Sequence, residues 1–210
     1  MKICLLSDKQ WPSSDEAFCE AVLALPFGNA EQNRLFAAKN PTRATQSLGA
    51  LLALRALVEP LSYPIARTAE GKPYFDATGA PHLSLSHTDG LAAAAVADST
   101  EGCIGIDFEW LHPLDYDRIA ARFFSASELA SYKASPTQDT FFVLWTAKEA
   151  IAKASGNGLF GKEASPSKAL HVRHFYLQAE DRIGILCIAT ENEAAAPTIS
   201  LPPAFEILEK

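Results

Sequence analysis

The chain has 210 residues, with 18 lysines and arginines against 25 aspartates and glutamates, for a net charge of −7. Its 48% hydrophobic and 20% charged content is that of a folded globular protein, which excludes disorder and fibrous repeats. At about 100 to 200 residues per domain, it is one large domain or two small halves sharing a core. The acidic balance argues against a surface that grips nucleic acid or anionic lipid along its whole extent. Met1 to Leu6 is too short for a secretory signal. The best apolar stretch, Leu48 to Val58, is broken by Arg55 and falls short of the ~20 residues of a membrane span. Cys4, Cys19, Cys103 and Cys187 form no C-x-x-C pair and read as reduced core thiols of a cytoplasmic protein.

Lys2 to Leu6 is a β-rich run, followed by helical segments from about Ser14 to Leu25 and around Glu31 to Lys39, with Pro41 as punctuation. From Thr42 or Thr45 to Val58, leucines recur at helical spacing, predicting a long, mostly buried helix closed by Pro60. Gly71-Lys72-Pro73 is a turn, and Thr88-Asp89-Gly90 joins strands His82 to Ser86 and Leu91 to Asp98 in a hairpin. The second half repeats this order. Cys103 to Glu109 is a strand, Ser125 with Glu128 is a capping box for a helix through Lys133, and Gln138 to Ser155 is a long helix ended by Gly156. Strands near Ala169 to Leu177 and Arg182 to Ala189 follow, then an irregular tail from Glu191. The seam between the halves falls near Ser99 to Gly102, and the duplication rests on element order alone.

In the strand through Gly105-Ile106-Asp107-Phe108-Glu109, alternation sends Ile104, Ile106 and Phe108 to one face and Asp107 and Glu109 to the other. The two acids then stand about 7 Å apart at Cα. Taken alone the pair is either a solvated acidic face or a seat for Mg2+, the hard cation that suits carboxylates together with phosphates. On the long helix, Phe142 and Trp145 lead to Glu149, with Lys153 one turn on; taken alone, that is an ordinary ion pair worth ~0.3 to 0.5 kcal/mol. Combined, three carboxylates with Lys148 and Lys153 point to metal-assisted phosphoryl chemistry. His171 and His174 face opposite ways in a strand and are no metal pair.

Read in order, the motifs are Gly71-Lys72-Pro73, Leu83-Ser84-Leu85-Ser86-His87, Gly105-Ile106-Asp107-Phe108-Glu109, Arg122-Phe123-Phe124-Ser125 with Glu128, Trp145-Thr146-Ala147-Lys148-Glu149-Ala150 with Lys153, and Gly156-Asn157-Gly158-Leu159. This set resembles the Sfp-type 4′-phosphopantetheinyl transferases. The resemblance implies an α+β fold of two pseudo-symmetric halves, each a small antiparallel sheet packed on a long helix, with the active site in the cleft between them. Residues 1–100 would supply coenzyme A nucleotide contacts, and residues 101–210 the metal ligands and catalytic lysine. Asp107, Glu109 and Glu149 match the family's Mg2+ ligands, and Lys153 its lysine near the scissile pyrophosphate. Lys72 and His87 match the residues that hold the nucleotide end and its phosphates, with Ser86 beside them, and Arg43 is the match for an arginine that meets the 3′-phosphate.

The implied reaction moves the 4′-phosphopantetheine arm of coenzyme A to a serine of an apo carrier protein (an acyl, peptidyl or aryl carrier domain) and releases 3′,5′-ADP. Glu149, directly or through a metal-bound water, is the implied base. Carriers of this kind are typically acidic, which turns attention to Arg118, Arg122 and the apolar residues between Leu114 and Leu129 as a docking patch. The expected protein is a monomer that engages neither nucleic acid nor membrane. Two rivals remain at this point: a metal-dependent phosphodiesterase, and a non-catalytic module that binds coenzyme A or a carrier.

Overall fold

Alternation makes Lys2–Ser7 a strand, β1, that buries Ile3 and Leu5 on one side and Cys4 on the other. The computed structural model describes residues 1–156, 169–193 and 196–209. Three helices follow β1: α1 (Asp15–Leu23), α2 (Asn29–Phe36) and α3 (Pro41–Val58). Pro41, expected as a break, is instead the first residue of α3, where its missing N–H removes no helical bond, and Asn40 caps the helix by accepting from Arg43 N. A ribbon of β2 (Ile65–Arg67) and β3 (Pro73–Phe75) brackets the Gly71-Lys72 turn; strands of three residues are too short to show alternation in sequence.

The expected hairpin is β4 (His82–Thr88) with β5 (Leu91–Ala97), turned at Asp89 and Gly90. Alanine favours helix, yet β5 is a strand, because it lies between β4 and β1 with every residue except Val96 buried. Then come β6 (Ile104–Trp110), α4 (Tyr116–Phe123), α5 (Ala126–Ala134), α6 (Gln138–Ser155), β7 (His171–Ala179) and β8 (Arg182–Thr190). The Ser125–Glu128 capping box is formed, and Gly156 ends α6 in the left-handed conformation. Helix α4 was not anticipated; Asp115 caps it by accepting from Arg118 N. The tail is less irregular than expected, since it contributes β9 (Thr198–Ser200) beside β1 and β10 (Phe205–Leu208) beside β7, covering two sheet edges.

The sheets have the orders β4-β5-β1-β9 and β10-β7-β8-β6. In each, the leading strand, β1 or β6, pairs antiparallel with the second strand of the following hairpin, β5 or β8. Ile3, Leu5 and the odd residues of β5 share one apolar layer with Ile104, Ile106, Phe108, Leu186 and Ile188, so the sheets stack through this layer. Leu48, Leu51 and Leu54 of α3 cover the other side of the first sheet, while Ala150 and Ala154 of α6 cover the second at Cys187 and Ala189.

Two local features position the site. A methyl group at Gly105 would run into the backbone of Ala150 and Ala154, so α6 can lie on β6 only because no side chain stands there. Strands β4 and β6 are the facing edges of the two sheets, and serine hydroxyls join them. Ile106 N donates to Ser84 Oγ at 3.0 Å, and Phe108 N to Ser86 Oγ at 3.2 Å, so edge amides that would otherwise be buried unpaired are satisfied. The Trp110 indole donates to Asp89 O at 2.7 Å and pins the hairpin turn to the end of β6. All four cysteines are free thiols, but only Cys4 and Cys187 are buried; Cys19 is exposed and Cys103 half-buried. Among the described residues no helix is long and apolar enough to cross a membrane.

Candidate active site

Because alternation puts Asp107 and Glu109 on the α6 side of β6, and Gly105 lets α6 sit close, the helix brings Glu149 and Lys153 to the same place. Lys153 Nζ donates to Asp107 Oδ1 at 2.7 Å and to Ser86 Oγ at 3.2 Å. Ser86 in turn donates to Asp107 Oδ1 at 2.9 Å. Thr88 donates to Glu109 Oε2 at 3.1 Å. Asp107 is only 4% exposed, and its Oδ2 has no hydrogen-bond partner among the described residues. Such an orphaned carboxylate oxygen is costly unless a cation or donor reaches it.

The acids strain one another. Burial, and then the charge of Asp107, push the Glu109 carboxyl up to about 7 and the Glu149 carboxyl likewise up to about 7. Both therefore hold a proton more readily folded than unfolded, where the reference is about 4.3. The stability tied to them is complete below that reference and is lost as pH rises through about 7. The metal-free chain with Glu109→Gln and Glu149→Gln should thus lose less melting temperature between pH 5.5 and pH 8 than the parent. Differential scanning fluorimetry at the two pH values checks this, and parallel curves for the two proteins would show that the pair is not a source of strain.

Of this cluster, Glu149 and Lys153 line a cavity of about 350 Å³, whose other charged residues are Arg34, Arg67, Glu70 and Lys72, with His87 beside them. A second cavity, of about 770 Å³, shares Arg34, Ser47 and His87 with the first and adds Lys39 and Arg43. Lys72 Nζ donates to Ala154 O at the C-terminal end of α6, and burial lowers its pKa. His87 is exposed within the cavity, yet the surrounding protein, then Lys153, Arg43 and Arg34, lower its pKa and favour the neutral ring. Against a chain at −7 overall, the two cavities form a local concentration of cations.

Among the described residues, no group of three or more His, Cys, Asp or Glu is already arranged as a metal cage. The donor set nonetheless fits a hard divalent cation. The unpartnered Asp107 Oδ2 and the two strained glutamates supply oxygens and negative charge, and the nearest cation is the Lys153 ammonium at Asp107.

Residues 103–196 match the family described as the 4′-phosphopantetheinyl transferase superfamily. Among curated proteins, the 4′-phosphopantetheinyl transferase psf-1 of Bacillus pumilus is 33% identical over 141 residues, 65% of this chain and 55% of that protein. The transferase gsp of Aneurinibacillus migulanus is 32% identical over 167 residues, 76% of this chain and 63% of that protein. Sfp of Bacillus subtilis is 38% identical over 105 residues, 48% of this chain and 45% of that protein. This chain is a relative of the 4′-phosphopantetheinyl transferases. It spans less than two thirds of these relatives' own length.

Most of the sequence-predicted site residues lie around one place in the fold. Asp107, Glu109, Glu149 and Lys153 converge from β6 and α6, and Lys72 and His87 stand around the adjoining cavity. Arg43 lies one cavity further, in the first turn of α3. Ser86 is buried in the seam between β4 and β6 with its hydroxyl shared among Asp107, Phe108 N and Lys153. Lys148 points elsewhere and pairs with Glu128 of α5 at 3.0 Å. The motif residues Asn157, Gly158 and Leu159 lie outside the described residues. Sequence reasoning missed Arg34, Arg67 and Thr88. Arg34 has the i, i+3 spacing of a surface ion pair with Glu31, and nothing in the spacing says that this glutamate is buried.

Proposed function

We propose that this chain transfers the 4′-phosphopantetheine arm of coenzyme A to a serine hydroxyl of an apo carrier protein, releasing 3′,5′-ADP, with Mg2+ as the metal. The observation that carries this reading is the meeting of Asp107, Ser86 and Lys153 beside a cavity lined with Lys72, His87 and Glu149. In this reading the matching strand orders reflect two pseudo-symmetric halves, residues 1–100 and 101–210, and the active site is the cleft between them.

Asp107, Glu109 and Glu149 would hold the metal, which when bound neutralises charge on the pyrophosphate. The serine oxygen attacks the pyrophosphate phosphorus that carries the pantetheine arm; the bond from that phosphorus to the bridging oxygen breaks, and the electron pair leaves with 3′,5′-ADP. The serine proton passes to Glu149, directly or through a water. Lys153 offers an ammonium to the oxygen that gains charge. Lys72, neutral His87 and Arg43 hold the nucleotide end, which does not react. Arg118 and Arg122, both exposed on α4 near exposed Leu114, offer cations and apolar surface to an acidic carrier. Four unpaired cysteines suit a reducing cytoplasm, and in this reading the chain acts as a monomer because it supplies both halves of the cleft.

The test is incubation with coenzyme A, Mg2+ and a panel of apo carrier domains, read by intact mass. The expected result is one added arm on the carrier serine and an equal amount of 3′,5′-ADP. Cleavage of coenzyme A with no gain on any carrier would instead mark a phosphodiesterase. Binding without cleavage would mark a non-catalytic module.

A further inference from the structure

Glu31 is a carboxylate with no part in the chemistry above, yet it is 2% exposed and lies behind the cavity wall, bonded to Arg34 and Arg67, which line it. It stands in the first turn of α2 and takes three charge-assisted bonds. Arg67, from β2, forks onto it, with Nε at 2.7 Å from Oε1 and Nη2 at 3.1 Å from Oε2. Arg67 spends its remaining Nη1 on Gly71 O at 3.0 Å, in the turn that carries Lys72. Arg34 gives Glu31 only its Nε, at 2.9 Å. Among the described residues the two Nη groups of Arg34 have no hydrogen-bond partner, and Arg34 is one of the residues common to both cavities.

A guanidinium held at its Nε by a buried, locked carboxylate is restricted in direction, which leaves the Nη pair turned away from that carboxylate and able to meet a planar or tetrahedral oxyanion in two-point fashion. The two arginines are otherwise unequal. Arg67 is consumed by Glu31 and Gly71, whereas Arg34 is oriented and still has donors to offer.

We infer that Glu31, itself locked by Arg67, is a positioning residue that aims the Nη edge of Arg34 at a phosphate of the bound nucleotide. This rests on the reading of the cavities as the coenzyme A site. The sign of the electrostatics makes the inference testable. Removing a carboxylate from behind the wall of an anion site raises the local positive charge, so if Glu31 acted through charge alone its loss would tighten phosphate binding. If it positions Arg34, its loss weakens binding, because a long side chain freed from its anchor must be ordered again when the ligand arrives.

The experiment titrates 3′,5′-ADP and adenosine into the full chain by calorimetry, for the parent, Glu31→Gln, Arg67→Lys, Arg34→Met, and Arg34→Met combined with Glu31→Gln. Melting temperature is followed throughout. Glu31→Gln is expected to weaken 3′,5′-ADP about 10-fold and adenosine not at all, to raise KM for coenzyme A in the same proportion and to leave kcat near the parent value. Arg67→Lys keeps the charge but cannot form the fork, and is expected to weaken 3′,5′-ADP about 3-fold in a well-folded protein. In the Arg34→Met background, Glu31→Gln should add nothing, as a residue acting through Arg34 requires. Tighter or unchanged 3′,5′-ADP binding by Glu31→Gln, equal weakening of adenosine, or an additive double variant would overturn the inference. A parent chain that binds neither coenzyme A nor 3′,5′-ADP would overturn the reading of the cavities as well.

Discussion

Asp107→Ala is expected to lower turnover by about 10³-fold or more while moving the melting temperature by only a few degrees. The first part follows from what the carboxylate does in the proposed reaction. It is the centre of the cluster, bonded to Ser86 and Lys153 and raising the pKa of both Glu109 and Glu149 by its charge. Losing several kcal/mol of charge stabilisation at roughly 1.4 kcal/mol per decade gives a fall of that order. The second part follows from opposing contributions to stability. The variant loses two short hydrogen bonds but also relieves a buried charge whose Oδ2 is unpartnered and which strains two neighbouring acids. The measurements are turnover, melting temperature and Mn2+ binding by electron paramagnetic resonance, with Mn2+ affinity expected to fall alongside turnover. A variant that melts far below the parent yet keeps its turnover would make Asp107 a structural residue of the inter-sheet seam.

What the sequence revealed of this cluster depended on periodicity. Asp107 and Glu109 share a strand face and Glu149 and Lys153 share a helix face, so their pairing follows from spacings of two and four residues. That the two faces meet was carried by the motif order, and its physical cause is Gly105, whose missing side chain admits α6. The hairpin at Asp89 and Gly90 and both ends of α6 were equally legible, because turn and cap residues have local causes.

Features that depend on distant partners were not legible. Ser84 was legible only as part of a strand and Ser86 only through the motif that sets it beside His87, whereas both hydroxyls stand in for a sheet partner between β4 and β6. Glu31 was legible only as part of a helical segment, and its burial depends on Arg67 arriving from β2, a segment too short to announce itself. The tail strands β9 and β10 pair only with sheet edges formed more than a hundred and about thirty residues earlier, respectively, so local propensity gave no sign of them.

The two lysines of α6 should behave differently. Lys153 is one turn beyond Glu149 and reaches Asp107, whereas Lys148 is rotated by about 100° from Glu149, as 3.6 residues per turn requires, and pairs with Glu128. Lys153→Ala is expected to lower kcat by about 10²-fold with little change in coenzyme A binding, because its charge matters most as the leaving phosphate gains charge. Lys148→Ala removes a partly exposed link between α5 and α6 and should change kcat by no more than a few-fold, through the placement of those helices. Lys72→Ala and His87→Ala should instead raise KM for coenzyme A, since in the proposed reaction they meet parts of it that do not react. Steady-state kinetics on the four variants, with coenzyme A varied at saturating carrier, separates these effects. Equal losses of kcat from Lys148→Ala and Lys153→Ala would mean that the helix face bearing Lys153 does not serve the leaving group. A Lys153→Ala protein with parental kcat would place the ammonium in a purely structural bond with Asp107, and the charge that stabilises 3′,5′-ADP would then have to come from Lys72, Arg34 or the metal.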